Sequence, residues 1–112
     1  MTPRKGQIWL TDVGEPIGHE QAGLRPAVVV SADRLNQSHA GVVIVVPTTT
    51  TRRGIPSHIE LDQLASGLDE VCYAKCEDVK SVSEQRLIAQ IGTVPAAALF
   101  SISRSLQFLL EL

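Results

Sequence analysis

The chain has 112 residues, 44% apolar and 20% charged, with ten Lys and Arg against twelve Asp and Glu for a formal charge of −2. That balance fits a single domain over residues 1–112 with one modest core; no run approaches the roughly 18 apolar residues of a membrane helix, and the opening MTPRKGQIW lacks an export-type apolar stretch, so a cytoplasmic protein is expected. The charge argues against a generic nucleic-acid binder, whose affinity comes mainly from neutralising phosphates, but leaves room for a small groove with clustered basic groups.

Gln7 to Val13 reads as a first strand, with Ile8 and Leu10 on one side and Trp9, Thr11 and Val13 on the other. Asp12 to Gly23 follows as a loop with three glycines and a proline in twelve residues. Loops that long in small domains are usually functional, and this one is expected to be poorly ordered in the free protein. Pro26 to Ser31 is a second strand, Ala32 to Ala40 a polar, turn-like connection, and Gly41 to Thr51 a third strand. The run Val42–Val46 is apolar on both faces, so each face needs a cover, the second supplied by a C-terminal helix or another subunit.

Arg52 to Ser57 is a basic turn, His58–Leu61 a short strand, and Asp62 to Leu68 a connection. Glu70 to Lys80 alternates, which predicts one strand with Tyr73, Lys75 and Glu77 on the same face, followed by a turn around Ser81 and Ser83–Gln85. Leu87 to Val94 is a last strand. From Pro95 the period becomes helical, with Leu99, Ile102, Leu106 and Leu109 forming one stripe and Thr93 with Pro95 marking its start. Six short strands and one closing helix predict a mainly β fold, a small antiparallel barrel. Cys72 and Cys76 on one strand would lie about 13 Å apart, too far for a disulfide, and are read as inert thiols. Neither they nor the scattered His19, His39 and His58 match a metal site, so no metal or cofactor is expected.

Several side chains are candidates for chemistry. Arg25 is launched from a defined place because Pro26 restricts the residue before it; it is either a structural ion-pair partner or a forked clamp for a phosphate. Thr48 ends the central strand, either as a β-branched strand end or as a hydroxyl beside Arg25. His19 and Glu20 sit on the glycine-bounded loop, and imidazole is the side chain whose ordinary pKa suits proton transfer near neutrality. Lys75 and Glu77 are read either as a solvated sheet face or as the lining of a groove. Tyr73 is a weak candidate for base stacking.

The stretch GHEQAGLRPAVVVS closely resembles the GHEQ-x-G-x-RP signature of the MazF/PemK/Kid toxins, small endoribonucleases of toxin–antitoxin pairs. Gly6–Leu10 (GQIWL) is similar to the family's opening, Val45–Thr48 (VVPT) to its V-x-P-I/V-T segment, and Leu68–Leu87 more loosely to its later motif. The resemblance implies an SH3-like barrel of the MazF/PemK/CcdB type, active as a homodimer with single-stranded RNA in a groove across the dimer. It implies metal-independent cleavage by 2′-OH attack, giving a 2′,3′-cyclic phosphate and a 5′-OH. Restraint by a cognate MazE-like antitoxin with a disordered tail is implied as well.

Carried over by position, the catalytic arginine is Arg25 and the catalytic threonine Thr48, while a plasmid-borne branch points to His19, Lys75 and Glu77. Since arginine does not readily lose a proton, Arg25 and Thr48 are expected to stabilise the phosphorane, with His19 or Glu77 moving protons. The RNA-contacting set expected from the resemblance is Glu20, Gln21, Thr49, Arg52, Arg53, Lys75, Asp78, Lys80 and Arg86. Asp78 and Lys80 depart from the family's Q-x-R, and a carboxylate beside a phosphate groove repels RNA or changes the base read. Two alternatives are a non-enzymatic toxin of the same barrel class, resembling the gyrase poisons, and an inactive paralogue that titrates antitoxin.

Overall fold

The computed structural model describes residues 2–15 and 17–112. Among them are seven strands, β1 (Gln7–Asp12), β2 (Leu24–Val29), β3 (Val42–Thr49), β4 (His58–Leu61), β5 (Cys72–Lys75), β6 (Lys80–Ser83) and β7 (Leu87–Thr93). Two one-turn helices, α1 (Asp33–Asn36) and α2 (Gln63–Ser66), join a long C-terminal helix, α3 (Ala96–Leu110). All pairings are antiparallel, in the order β4-β5-β3-β2-β1-β7, with β6 also on β3. The pairing among the described residues does not close the sheet on itself, so the mainly β class with its C-terminal helix holds while the closed ring of strands does not appear.

The eight-residue β3 is long enough to host two neighbours on one edge. Val42–Val45 pair with β6, and Thr48 and Thr49 pair with β5. Its other edge carries β2, with Val28 opposite Val46 and Val29 opposite Val45. Alternation along these strands sends Ile8, Val28 and Val46 to one core and Trp9, Ala27, Val29, Val43 and Val45 to another. Helix α3 covers the first core through Ile102, Leu99 and Leu106. The second is covered by Val82 and Leu87 of this same chain, rather than by a helix or a second subunit.

Four sequence expectations change. The predicted single strand over Glu70–Lys80 is β5, a 3-10 turn at Cys76–Asp78, and the start of β6. The alternation of apolar residues continues across the break and conceals it, while Glu77 and Asp78, poor strand formers, supply the turn. The predicted turn at Ser81 and Ser83 is instead part of β6, and of that stretch the 3-10 turn begins at Glu84, running Glu84–Arg86. The connections at Ala32–Ala40 and Asp62–Leu68 hold the short helices α1 and α2. In α3, Leu99, Ile102 and Leu106 reach the core as the stripe predicts, but Leu109 lies outside it and is 39% exposed.

Helix α2 lies against β7 at unusually close range. The Asp62 side chain caps it by accepting from the N–H groups of Leu64 and Ala65, and Gly67 ends it in the left-handed region at φ 74°. A Cβ at Gly92 would stand 2.0 Å from the Ser66 carbonyl oxygen, so only glycine allows this approach. Gly92→Ala is therefore expected to destabilise the fold by at least about 1–3 kcal/mol. Urea unfolding measures it, and a midpoint equal to that of the unaltered protein contradicts this account of the contact.

Candidate functional site

Arg25 enters β2 opposite Thr11 of β1, one residue before Pro26. Its Nε donates to the Ala22 carbonyl at 3.1 Å, closing the base of the preceding loop. This is the one side-chain hydrogen bond Arg25 makes among the described residues, so the fork of its terminal nitrogens stays available. On the adjacent strand, Thr48 follows Pro47, which pairs with Ala27. The Thr48 hydroxyl is buried and donates to the Pro26 carbonyl at 2.6 Å. That bond fixes the Arg25–Pro26 backbone and leaves the oxygen able to accept from a ligand.

Arg25 and Thr48 line one cavity of about 380 Å³. Leu10, Pro26, Leu68 and Ile91 give it apolar walls, while Asp69 and Glu70 also line it. Cys72 completes the wall beside Thr48. Burial pushes its thiol pKa up, helped by the Glu70 charge and opposed by the Thr48 hydroxyl and the Arg25 charge. The thiol stays protonated and behaves as a small apolar group. Cys76 is likewise buried, and burial raises its pKa too. Both cysteines are free.

Other predicted residues meet at the loop before β2, of which Pro16 lies outside the described residues. The loop is more tied down than its composition suggests. Lys75 is buried, its ammonium donating to the His19 carbonyl and lying 3.4 Å from an Asp78 carboxylate oxygen. That same oxygen accepts from the Gln21 backbone N–H at 2.9 Å. Lys80 donates to the Val13 carbonyl at 3.0 Å, and Arg86 reaches the Asp12 carbonyl at 3.5 Å. Asp78 and Lys80, the two departures from the family motif, thus both bind loop backbone. The side chains of His19 and Glu20 are on the exposed loop surface.

The remaining candidates are dispersed. Thr49 is buried, its hydroxyl oxygen accepting from the Thr51 N–H at 3.2 Å. Arg52 and Arg53 are exposed, and Tyr73 is half-buried opposite Thr49. Glu77 does not share a strand face with Lys75, because the 3-10 turn rotates it away. Its carboxylate accepts from Ser57 Oγ at 2.8 Å and pairs with His58 Nε2 at 2.8 Å. Burial acts to raise its pKa, but its own backbone N–H, His58 and Ser57 outweigh that and hold it below the ordinary value.

Sequence reasoning missed the lower half of the cavity, namely Leu68, Asp69, Glu70 and Ile91. The one local signal was Asp62 ahead of Gly67, a capped short helix whose packing on β7 is invisible in sequence. It also missed His58, whose side chain is 2% exposed and holds Glu77.

Residues 4–110 match a family model described as PemK-like, MazF-like toxin of type II toxin–antitoxin system. The chain is 37% identical to endoribonuclease MazF9 of Mycobacterium tuberculosis, over 97% of each chain. The crystal structure of MazF (Form-I) from Deinococcus radiodurans superposes with a TM-score of 0.87 at 26% identity, covering 100% of this chain and 99% of that one. A mycobacterial endoribonuclease in complex with its cognate antitoxin gives a TM-score of 0.80 at 26% identity, over 98% and 96% of the two chains.

Two outcomes follow from the geometry. Asp78→Ala removes the acceptor shared by Lys75 and Gln21 and is expected to cost about 1.5–3 kcal/mol. Amide exchange at Gln21 should accelerate, and unchanged exchange there would remove Asp78 from the tether. For Glu77, a pKa lower in the folded than in the unfolded chain means stability is present above the ordinary value of 4.5 and lost as pH falls through the folded value. Glu77→Gln should therefore flatten the acid limb of Tm against pH below about 4.5; an unaltered limb refutes this.

Proposed function

The chain belongs to the PemK-like, MazF-like toxin family of type II toxin–antitoxin systems, and from that premise we propose how this chain cuts single-stranded RNA. The observation that carries the reading is the convergence of an unspent guanidinium and a buried threonine from adjacent strands on one cavity. A scissile phosphate at its mouth receives the Arg25 fork on its non-bridging oxygens. The ribose 2′-oxygen attacks phosphorus while the bond to the 5′-oxygen breaks. The products are a 2′,3′-cyclic phosphate and a 5′-OH, with the 2′-OH proton taken up by a base and a proton delivered to the leaving oxygen. No metal is assigned a step.

Arg25 stabilises the extra negative charge of the phosphorane, a role for preorganised cations that needs no proton transfer. Thr48 serves chiefly by holding the Arg25–Pro26 backbone in line, and its oxygen accepts from the substrate. Proton transfer falls to His19 on the exposed loop. Glu77, engaged by His58 and Ser57, supports the turn that ends β5. Glu20, Gln21, Thr49, Arg52, Arg53 and Arg86 border the RNA path, with Lys75, Asp78 and Lys80 shaping it through the loop.

The curled sheet is read as the family's SH3-like barrel with an open seam. A homodimer is supported by apolar side chains left bare toward the end of α3, including Phe108 at 83% exposure. A MazE-like antitoxin tail that folds on binding would occlude the same groove.

Purified protein incubated with mixed-sequence RNA in EDTA should yield discrete fragments with 5′-OH ends. Arg25→Ala should slow cleavage about 10²–10³-fold. His19→Ala should slow it about 10²–10⁴-fold, with partial rescue by added imidazole. RNA left intact by the unaltered protein would favour a toxin that acts by binding alone.

A further inference from the structure

The cavity beneath Arg25 is more than a phosphate site needs. A phosphate requires a mouth with donors, whereas this space extends inward between apolar walls from three parts of the chain, Leu10, Leu68 and Ile91 among them. Apolar walls with a few convergent polar groups are the anatomy of a pocket for a flat organic ligand. The polar groups also differ in sign. Arg25 is cationic, Thr48 presents a buried oxygen, and the exposed Asp69 and Glu70 also line the space, the Glu70 charge acting on Cys72 in the same wall; a surface built only for phosphate would avoid two acidic residues there.

Those two carboxylates stand on a turn that is fixed from several sides. Gln63 accepts at its carbonyl from the Leu68 N–H at 3.1 Å, and its side-chain Nε2 donates to the Asp69 carbonyl at 2.6 Å. Immediately before them, the Ser66 carbonyl rests on Gly92 with no room for a Cβ. A turn carrying charge for solubility alone has no need of such support, whereas one that reads a ligand does.

We propose that this cavity receives a nucleobase next to the scissile phosphate, and that Asp69 and Glu70 select an amino-bearing base, adenine, cytosine or guanine, over uracil. The inference rests on the nuclease reading above and adds the residues that set its sequence preference. Carboxylates accept from exocyclic amino groups. Uracil offers one N–H between two carbonyl oxygens, which the carboxylates repel. Leu68 and Ile91 contact the faces of the ring, and Arg25 holds the adjoining phosphate at the rim.

The test is equilibrium binding of 2′-deoxy hexanucleotides, which the protein cannot cut, varied one position at a time. The unaltered protein should discriminate against uracil at one position on the order of 10- to 100-fold. The double variant Asp69→Asn, Glu70→Gln should lose that discrimination there and keep it elsewhere. A double variant that retains the same base preference overturns the inference, as does one that binds every hexamer more tightly by a common factor, since the carboxylates would then merely repel backbone. Leu68→Ala, which opens a wall without changing charge, should weaken binding of all bases at that position, and unchanged affinity also counts against the pocket. Cleavage of RNA by the unaltered protein is scored separately, so failure of the nuclease reading and failure of the pocket are told apart.

Discussion

The burial of β3 on both faces is the constraint from which the rest of the structure follows. A strand with Val43 and Val45 in one core and Val46 in the other cannot shift register by one residue without exchanging the two cores. Its register therefore fixes where the strand ends, and with it Thr48. Because β2 is paired in step with β3, the same constraint fixes Pro26 and Arg25. The short bond from the Thr48 hydroxyl to the Pro26 carbonyl is the last link of that chain. Packing in the middle of the sheet thus determines the geometry at its end.

The charged residues divide their work in a way that net charge conceals. Lys75, Lys80 and Arg86 spend donors on loop carbonyls, and Asp78 spends an oxygen on a loop N–H. Lys75, Lys80 and Asp78, buried or half-buried, are ions that stabilise when their partners are complete and cost heavily when one is removed, whereas Arg86 is exposed. The loop before β2 is consequently held by electrostatics beyond its one buried apolar anchor, Val13. Arg25 gives the same loop only its Nε, to the Ala22 carbonyl, and keeps its fork unspent.

Much of this was legible in the residues. The strand at His58–Leu61, the face assignment of Ile8 against Trp9, and the helical stripe through Ile102 all rest on local period, which sequence displays directly. Arg25 beside Thr48 was legible because a proline follows the first and a long apolar strand precedes the second. The break at Cys76–Asp78 was not, since alternation runs through it unaltered. Helices α1 and α2, at four residues each, are too short to show a period. The far wall of the cavity was hidden for a different reason: it depends on Ser66 meeting Gly92, a contact between segments with no common pattern.

That contact has a consequence for how such a protein can diverge. With the Ser66 carbonyl seated on Gly92, lengthening the turn or re-aiming it would force backbone into backbone, and drift in the main chain is closed off. Exchange of the side chains at 69 and 70 meets no such obstacle, because both are exposed at their outer edge. Variation in this region is therefore channelled into chemistry at two points on an unmoving frame, a route along which a single nucleotide change in the gene is enough to alter what the surface prefers.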